Sequence, residues 1–409
     1  GGLLVLPGGV DPHVHIQMPA GATSTCDTWA SSTRAAAFGG TTTVIDFVEP
    51  SFPGQLLLQS FHSRLSEAQG ESAVDYGFHM TLCAGDRATL DQVPEVVRAG
   101  MPSFKLYTTY AGFRLTDDEL LAAFQAIAKA GGLALVHAES DAVIQNASAR
   151  LRAAGRLAVS DFPESRPAAA EEEAVERVLS LASCAGAKVY IVHVSTRGAA
   201  EAVARARRDG QPAAGETCPQ YLLLDETRYQ EVGPGGAKYV CCPPLRSQDD
   251  QAALWEALRD GGLQTIGTDH CAFNFRGQKD AGAGSFPDIP SGLPGIELRL
   301  ALIYTYGVQA GKISISRWID LCCTAPARLF GLHPRKGELL PGADADIVLF
   351  DPRRTTTISS AELHEAVDYT PYEGLTLAGT VRTTILRGKV LVCEGVWAGA
   401  APAGEFIAC

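Results

Sequence analysis

The stretch TTTVIDF, residues 41–47, is a run of β-branched and apolar side chains interrupted by a single aspartate. A strand with one face in water alternates apolar and polar residues. This one does not, so it is predicted to be buried on both faces, as in a parallel sheet covered by helices. AKVYIVHVS (187–195) has the same texture. Around these two lie GVDPHVHI (9–16), DYGFHMTLC (75–83), SFKLYTTY (103–110), LALVHAE (133–139), PAAGETCP (212–219) and LQTIGTDH (263–270). Most are separated by helical patterns. One begins at Thr116 as N-cap and stops at Gly131; another runs through RPAAAEEEAVERVLSLASCAG (166–186). Strands alternating with helices mean parallel strands joined by crossovers. Eight of them predict a closed (β/α)8 TIM barrel rather than an open doubly wound sheet.

Beyond about Phe330 the texture changes. GELLPGADADIVLFDP (337–352), TTTISSAEL (355–363) and GTVRTTILRGKVLVCEGVW (379–397) read as short strands with Gly and Pro turns. They predict a small antiparallel β-sandwich. The expected division is a barrel over 7–335 and a sandwich plus tail over 336–409, with 1–6 as one more sandwich strand. GPGG (233–236) and AGAGSF (281–286) lack the strand–helix context of a phosphate loop and read as turns and a mobile loop.

The chain has 409 residues, 46% of them hydrophobic, enough for a large core plus an appendage. A formal charge of −12 argues against nucleic acid or an anionic membrane surface as partner. No apolar run reaches the roughly 18 residues of a membrane helix, and none reads as a signal peptide. The 11 cysteines are scattered, and two pairs are adjacent in sequence (Cys241–Cys242 and Cys322–Cys323), which suits reduced thiols in a cytoplasmic protein.

The polar residues on the predicted strands carry the chemistry. His13 and His15, two apart on strand one, point to the same face. Lys105 lies on strand four, His137 ends strand five, His193 is near the end of strand six and Asp269 ends strand eight. All sit at or near the carboxyl ends, where barrel active sites are built. Singly, each has a structural reading: Lys105 as a strand-end lysine reaching water, a histidine as a half-buried polar group, Asp269 as a helix cap. Together they are costly to bury unpaired. Imidazole and carboxylate suit Zn²⁺ or another first-row dication, and five such groups exceed the need of one open zinc site. Two metals need an anionic bridge. An ammonium is untenable beside two dications. A neutral lysine that captures carbon dioxide becomes a carbamate, an anionic bidentate bridge.

GGVDPHVHIQMP, AAFGGTTTVIDF, SFKLYTTY, VHAE, YIVHVS, ETCPQYLLLD, CPPLR and IGTDHCAFNFRGQK, with GADADIVLFDP in the sandwich, resemble the dihydropyrimidinase and hydantoinase branch of the cyclic amidohydrolases. The resemblance spans nearly the whole chain. It implies an enzyme that opens dihydropyrimidines or 5-monosubstituted hydantoins to N-carbamoyl amino acids. It implies two divalent metals, expected to be Zn²⁺, with His13, His15 and Asp269 on one, His137 and His193 on the other, and N6-carboxylysine at Lys105 as bridge. It places Tyr110 on the substrate carbonyl and its oxyanion, and gives Asp269 the proton transfers. Cys242 and Ser291 fall at ring-contact positions, where the family usually has serine and asparagine. His270 is read as a partner behind the metal ligands, and Cys271, His62, His79, His333 and His364 as structural. The family is commonly homo-oligomeric, so a tetramer or dimer is expected, and the C-terminal tail is a candidate for the interface. The family also has a segment ahead of the HxH strand that supplies half the sandwich, and that part is read as missing here. Dihydroorotase or allantoinase would share the metals, but dihydroorotase-like chains place an arginine two residues after the HxH, where Gln17 stands. Non-catalytic scaffold relatives lack the ligands, and all six positions are kept in this sequence.

Overall fold

The computed structural model describes residues 2–51, 54–399 and 402–409. All eight predicted barrel strands form. Numbering every strand in chain order, β1 is Leu4–Pro7, β2 Gly9–Val14, β3 Pro19–Ala20, β4 Thr23–Ser24, β5 Thr41–Val48, β6 Asp75–Thr81, β7 Ser103–Tyr107, β8 Leu133–His137, β9 Lys188–Ile191, β10 Ala213–Thr217, β11 Thr265–Ile266, β12 Ile347–Thr357, β13 Thr376–Leu386, β14 Lys389–Cys393 and β15 Val396–Trp397. The barrel sheet runs β2-β5-β6-β7-β8-β9-β10-β11, with neighbouring strands parallel. Every residue of β5 is buried, as its lack of polar alternation required. Between β11 and β2 closure rests on isolated contacts: a Val14–His270 bridge, Asp269 N–H to the His13 carbonyl (2.9 Å) and His15 N–H to the His270 carbonyl (2.8 Å).

The predicted helix signals act as read. Thr116 caps Asp117–Lys129 in a reciprocal capping box with Glu119, and Gly131 follows the C-cap at φ 79°. Strand ends differ from the sequence reading. SFKLYTTY leaves the sheet at Tyr107, AKVYIVHVS at Ile191 and LQTIGTDH at Ile266, because the next residues turn rather than extend. Tyr110, His193 and Asp269 have φ of 75°, 38° and 52°, left-handed values that a side chain normally avoids.

The C-terminal region forms one antiparallel five-stranded sheet, β1-β12-β13-β14-β15. Leu6, Val348, Thr384 and Val392 follow one another across its buried face, whereas Val5 on the other face is exposed. The sheet is tied to helix Trp29–Phe38 by the Thr384 hydroxyl, which donates to the Ala37 carbonyl at 2.7 Å. TTTISSAEL is not a separate strand: Thr355–Thr357 end β12, and Ser359 leads into the 3-10 helix Ser360–Glu362, the two serines favouring a turn over pairing. GPGG opens a 3-10 turn, Gly233–Tyr239. The segment read as a mobile loop is packed instead, since Phe286 is buried and its amide bonds the Leu157 carbonyl at 2.9 Å. Of the C-terminal tail, residues 400–401 lie outside the described residues. The rest runs under its own barrel: Tyr76 N–H bonds Glu405 O (3.0 Å), Ile407 N–H bonds Tyr76 O (2.8 Å), and Ile407 joins the cluster inside the strands. Beside it, buried Lys336 meets Asp75, Asp344 and Asp346 at 2.5, 2.9 and 2.8 Å, welding sheet to barrel.

Candidate metal centre and pocket

β2 carries His13, and His15 follows one residue past the end of the strand, with the two ring centroids 5.3 Å apart. The turn after β11 returns Asp269 to them. Its Oδ1 lies 3.1 Å from His13 Nε2 and 3.4 Å from His15 Nε2. These three residues offer ligand atoms within 4.8 Å of one another, the geometry of a metal-holding set. His13 Nε2 is buried and has no hydrogen-bond partner, an expensive state for an imidazole nitrogen unless an ion takes it. The residues present therefore fit a divalent metal. Across the mouth, β8 ends at His137 and the turn after β9 lifts His193. Their Nδ1 and Nε2 face each other at 2.9 Å.

Between the two sets lies Lys105, 1% exposed on β7. Among the described residues no hydrogen bond or ion pair holds its Nζ, which instead meets the faces of Phe47 and Tyr107 at 4.6 and 5.3 Å. Burial pulls its amine down to about 8, against the opposing pull of Asp269, Glu216 and Glu49. The imidazoles respond to the same dry environment. Burial holds His13 and His193 well below the ordinary histidine range and lowers His137, so all three are neutral, as a metal ligand must be. For Asp269 burial pushes up, but the His13 and His15 rings overcome it and keep the carboxylate ionised.

A cavity of about 400 Å³ opens above these groups. His15, Lys105, His137, His193 and Asp269 form its floor, and Tyr110, Cys242 and Ser291 line it as well. Cys242 Sγ lies 3.4 Å from Ser291 Oγ. Burial drives the Tyr110 phenol well above its ordinary range, so it stays a hydrogen-bond donor. Cys271 lines the same cavity, whereas His79 sits behind the site, bonded to Ser103 and to the Pro12 carbonyl. The His270 ring does not touch the ligand side chains. It pairs with Asp27 at 2.6 Å and receives the Gly295 and Ile296 amides, and only its carbonyl reaches His15. A larger surface groove, about 630 Å³, lies along helices Ala168–Ala185 and Arg197–Arg208 and contains none of these ligands.

Sequence reasoning missed the carboxylates behind the histidines. Glu216, fully buried on β10, accepts from His13 Nδ1 (2.6 Å), the Tyr190 hydroxyl (2.8 Å) and the His193 amide (3.1 Å). Glu139, two residues after His137, meets its Nε2 at 2.7 Å. Each bond fixes which ring nitrogen faces the cavity. The signal was present: a glutamate in the small, otherwise uncharged run AAGET, and another in VHAE, are not expected inside a barrel without a partner.

The family model described as the amidohydrolase family matches residues 4–391. A D-hydantoinase of Streptomyces coelicolor is 44% identical over 406 residues, covering 99% of this chain and 86% of that protein. The solved D-hydantoinase from a Bacillus sp. AR9 superposes with a TM-score of 0.97 at 41% identity, covering 99% of this chain and 90% of that one. The dihydropyrimidinase of Brevibacillus agri NCHU1002 does so with a TM-score of 0.97 at 41% identity, covering 99% and 88%.

Proposed function

The chain belongs to the amidohydrolase family, and we propose that it hydrolyses the cyclic amide bond of uncharged ureide rings, dihydropyrimidines and 5-monosubstituted hydantoins, to N-carbamoyl amino acids. The observation that carries this reading is the convergence of His13, His15, His137, His193 and Asp269 around an unpaired buried Lys105 under a pocket lined by Tyr110. We assign His13, His15 and Asp269 to one divalent metal, His137 and His193 to a second, and carbamylated Lys105 to both. Zinc suits the donor set. Metals held there would supply an acidified water and a polarised scissile carbonyl.

The protein's own groups do the rest. Carbon dioxide adds to the neutral Lys105 amine, and the proton released leaves a carbamate. Tyr110 donates its hydroxyl proton in a hydrogen bond to the carbonyl oxygen as negative charge develops there. Ionised Asp269 takes the proton of the attacking water and returns it to the ring nitrogen when the C–N bond breaks. Cys242 and Ser291 contact the ring from the pocket wall.

The rival dihydroorotase reading requires a cation for the substrate carboxylate. Among the described residues no arginine lines the cavity. Gln17 is exposed and does not line it. Arg34 stacks on Trp397 at 5.1 Å, and Arg246 is spent on Ser195 and the Arg166 carbonyl. The same reading divides the chain at about residue 335 into a barrel and a C-terminal sheet unit, and makes it a cytoplasmic homo-oligomer, dimer or tetramer. All 11 cysteines are free, as reduced thiols in the cytoplasm would be. Among the described residues no helix is long and apolar enough to cross a membrane. The test compares kcat/KM for dihydrouracil, 5-phenylhydantoin, dihydroorotate and allantoin on one metal-loaded sample. Turnover of the neutral rings with slow dihydroorotate is expected. Dihydroorotate opened as fast as the best neutral ring would replace this reading with dihydroorotase.

A further inference from the structure

Arg166 is a buried cation beside the pocket that the chemistry above leaves without a role. It follows the short helix Phe162–Ser165 and is 9% exposed. Its Nη1 ion-pairs with Glu139 Oε2, the same oxygen that meets His137 Nε2 at 2.7 Å. Its guanidinium carbon also lies 5.1 Å from the centre of the Tyr110 ring. One side chain therefore touches the support of a metal-ligand histidine and the face of the tyrosine beside the reacting carbonyl.

We propose that Arg166 is a positioning residue that couples the metal-side support of His137 to the placement of Tyr110. Two further observations motivate this. Glu139 is 0% exposed, so without a cation its charge would be stranded in the core and the His137 Nε2 proton would lose a strong acceptor. Tyr110 stands on a left-handed backbone at φ 75°, a conformation that persists only where its surroundings hold it. The Arg166 plane is one such hold, and Arg166 is itself fixed by its carbonyl, which accepts from Arg246 Nη1 at 2.6 Å. Arginine, unlike lysine, offers both a fork for the carboxylate and a flat face for the ring.

The inference rests on the assigned roles of His137 and Tyr110, and its test separates the two contacts. Arg166→Lys keeps a charge for Glu139 but lacks the flat face. Arg166→Met removes both. Metal affinity is read by chelator competition, which needs no substrate, and folding by thermal melting. Arg166→Met is expected to bind metal about 10–100-fold more weakly. Arg166→Lys is expected to stay within about 3-fold of wild type in metal affinity, and to lose about 10-fold in kcat on 5-phenylhydantoin with KM nearly unchanged. In a Tyr110→Phe background the same lysine substitution should cost less than about 2-fold more. Wild-type turnover by Arg166→Lys, or an undiminished loss in the Tyr110→Phe background, would overturn the coupling. Unchanged metal affinity in Arg166→Met would overturn the metal side. Lack of turnover by the wild-type protein would instead count against the substrate reading, with the metal arm still decisive for Arg166.

Discussion

Replacing Glu216 by glutamine tests how far the carboxylates behind the histidines govern the metal centre. Glu216 is 0% exposed and each of its oxygens has a defined task. Oε1 accepts from His13 Nδ1 at 2.6 Å and from the His193 amide at 3.1 Å; Oε2 accepts from the Tyr190 hydroxyl at 2.8 Å. Glutamine keeps the volume and one carbonyl oxygen, which can serve His13 and His193. Its amide can face Tyr190, whose hydroxyl already lies 2.6 Å from Thr265 Oγ1 and can turn to donate there. The fold should therefore survive, and what is lost is the charge that makes the His13 bond roughly twice as strong as a neutral one. Removing such a partner typically costs 10–100-fold in metal affinity, or about 1.4–2.8 kcal/mol. A pH signature accompanies it. In the metal-free site burial pushes the Glu216 carboxyl up to about 7, so it holds a proton below that pH, and metal binding must expel it. Wild-type affinity should rise with pH through about 7, and Glu216→Gln should rise less, keeping only the part near pH 8 where the Lys105 amine loses its proton. Chelator competition at pH 6, 7 and 8 reads both effects. Unchanged affinity with an unchanged pH slope would refute the claim that Glu216 supports His13.

Two further substitutions address the pocket. Tyr110→Phe should keep its metal content and lose kcat by about 10²–10³-fold, the usual cost of one oxyanion donor; steady-state kinetics with elemental analysis checks it, and full turnover would remove Tyr110 from the mechanism. Lys105→Ala should lose most metal and activity because nothing else in β7 supplies an anionic bridge, and added short carboxylic acids should restore part of both; a variant that keeps its metal would deny the lysine its bridging role.

Much of this was legible in sequence because burial leaves a pattern. β5 reads as a β-branched and apolar run without polar alternation since helices and barrel interior cover both its faces. The Thr116 capping box is a local arrangement that four residues specify on their own. The ligand set was legible because polar residues at strand ends stand out against such runs. Where the strands end was not. Tyr110, His193 and Asp269 take left-handed backbone values that no local propensity favours, and the packing around the pocket imposes them. Glu139 and Glu216 stood out as carboxylates in buried runs, but the partners of Glu216 and Arg166 were opaque, because they lie 203 and 27 residues away in the chain. His270 misled in the other direction. Its place beside Asp269 suggested support for the ligands, yet its ring turns to Asp27 and to the amides of Gly295 and Ile296.

The count of metal ions per chain, taken by elemental analysis on protein purified without chelator, bears most directly on the two-metal centre proposed around Lys105. The ligand geometry predicts a value approaching two. A value that stays near one, in protein whose Lys105 carries no added carboxyl group, would contradict the binuclear account.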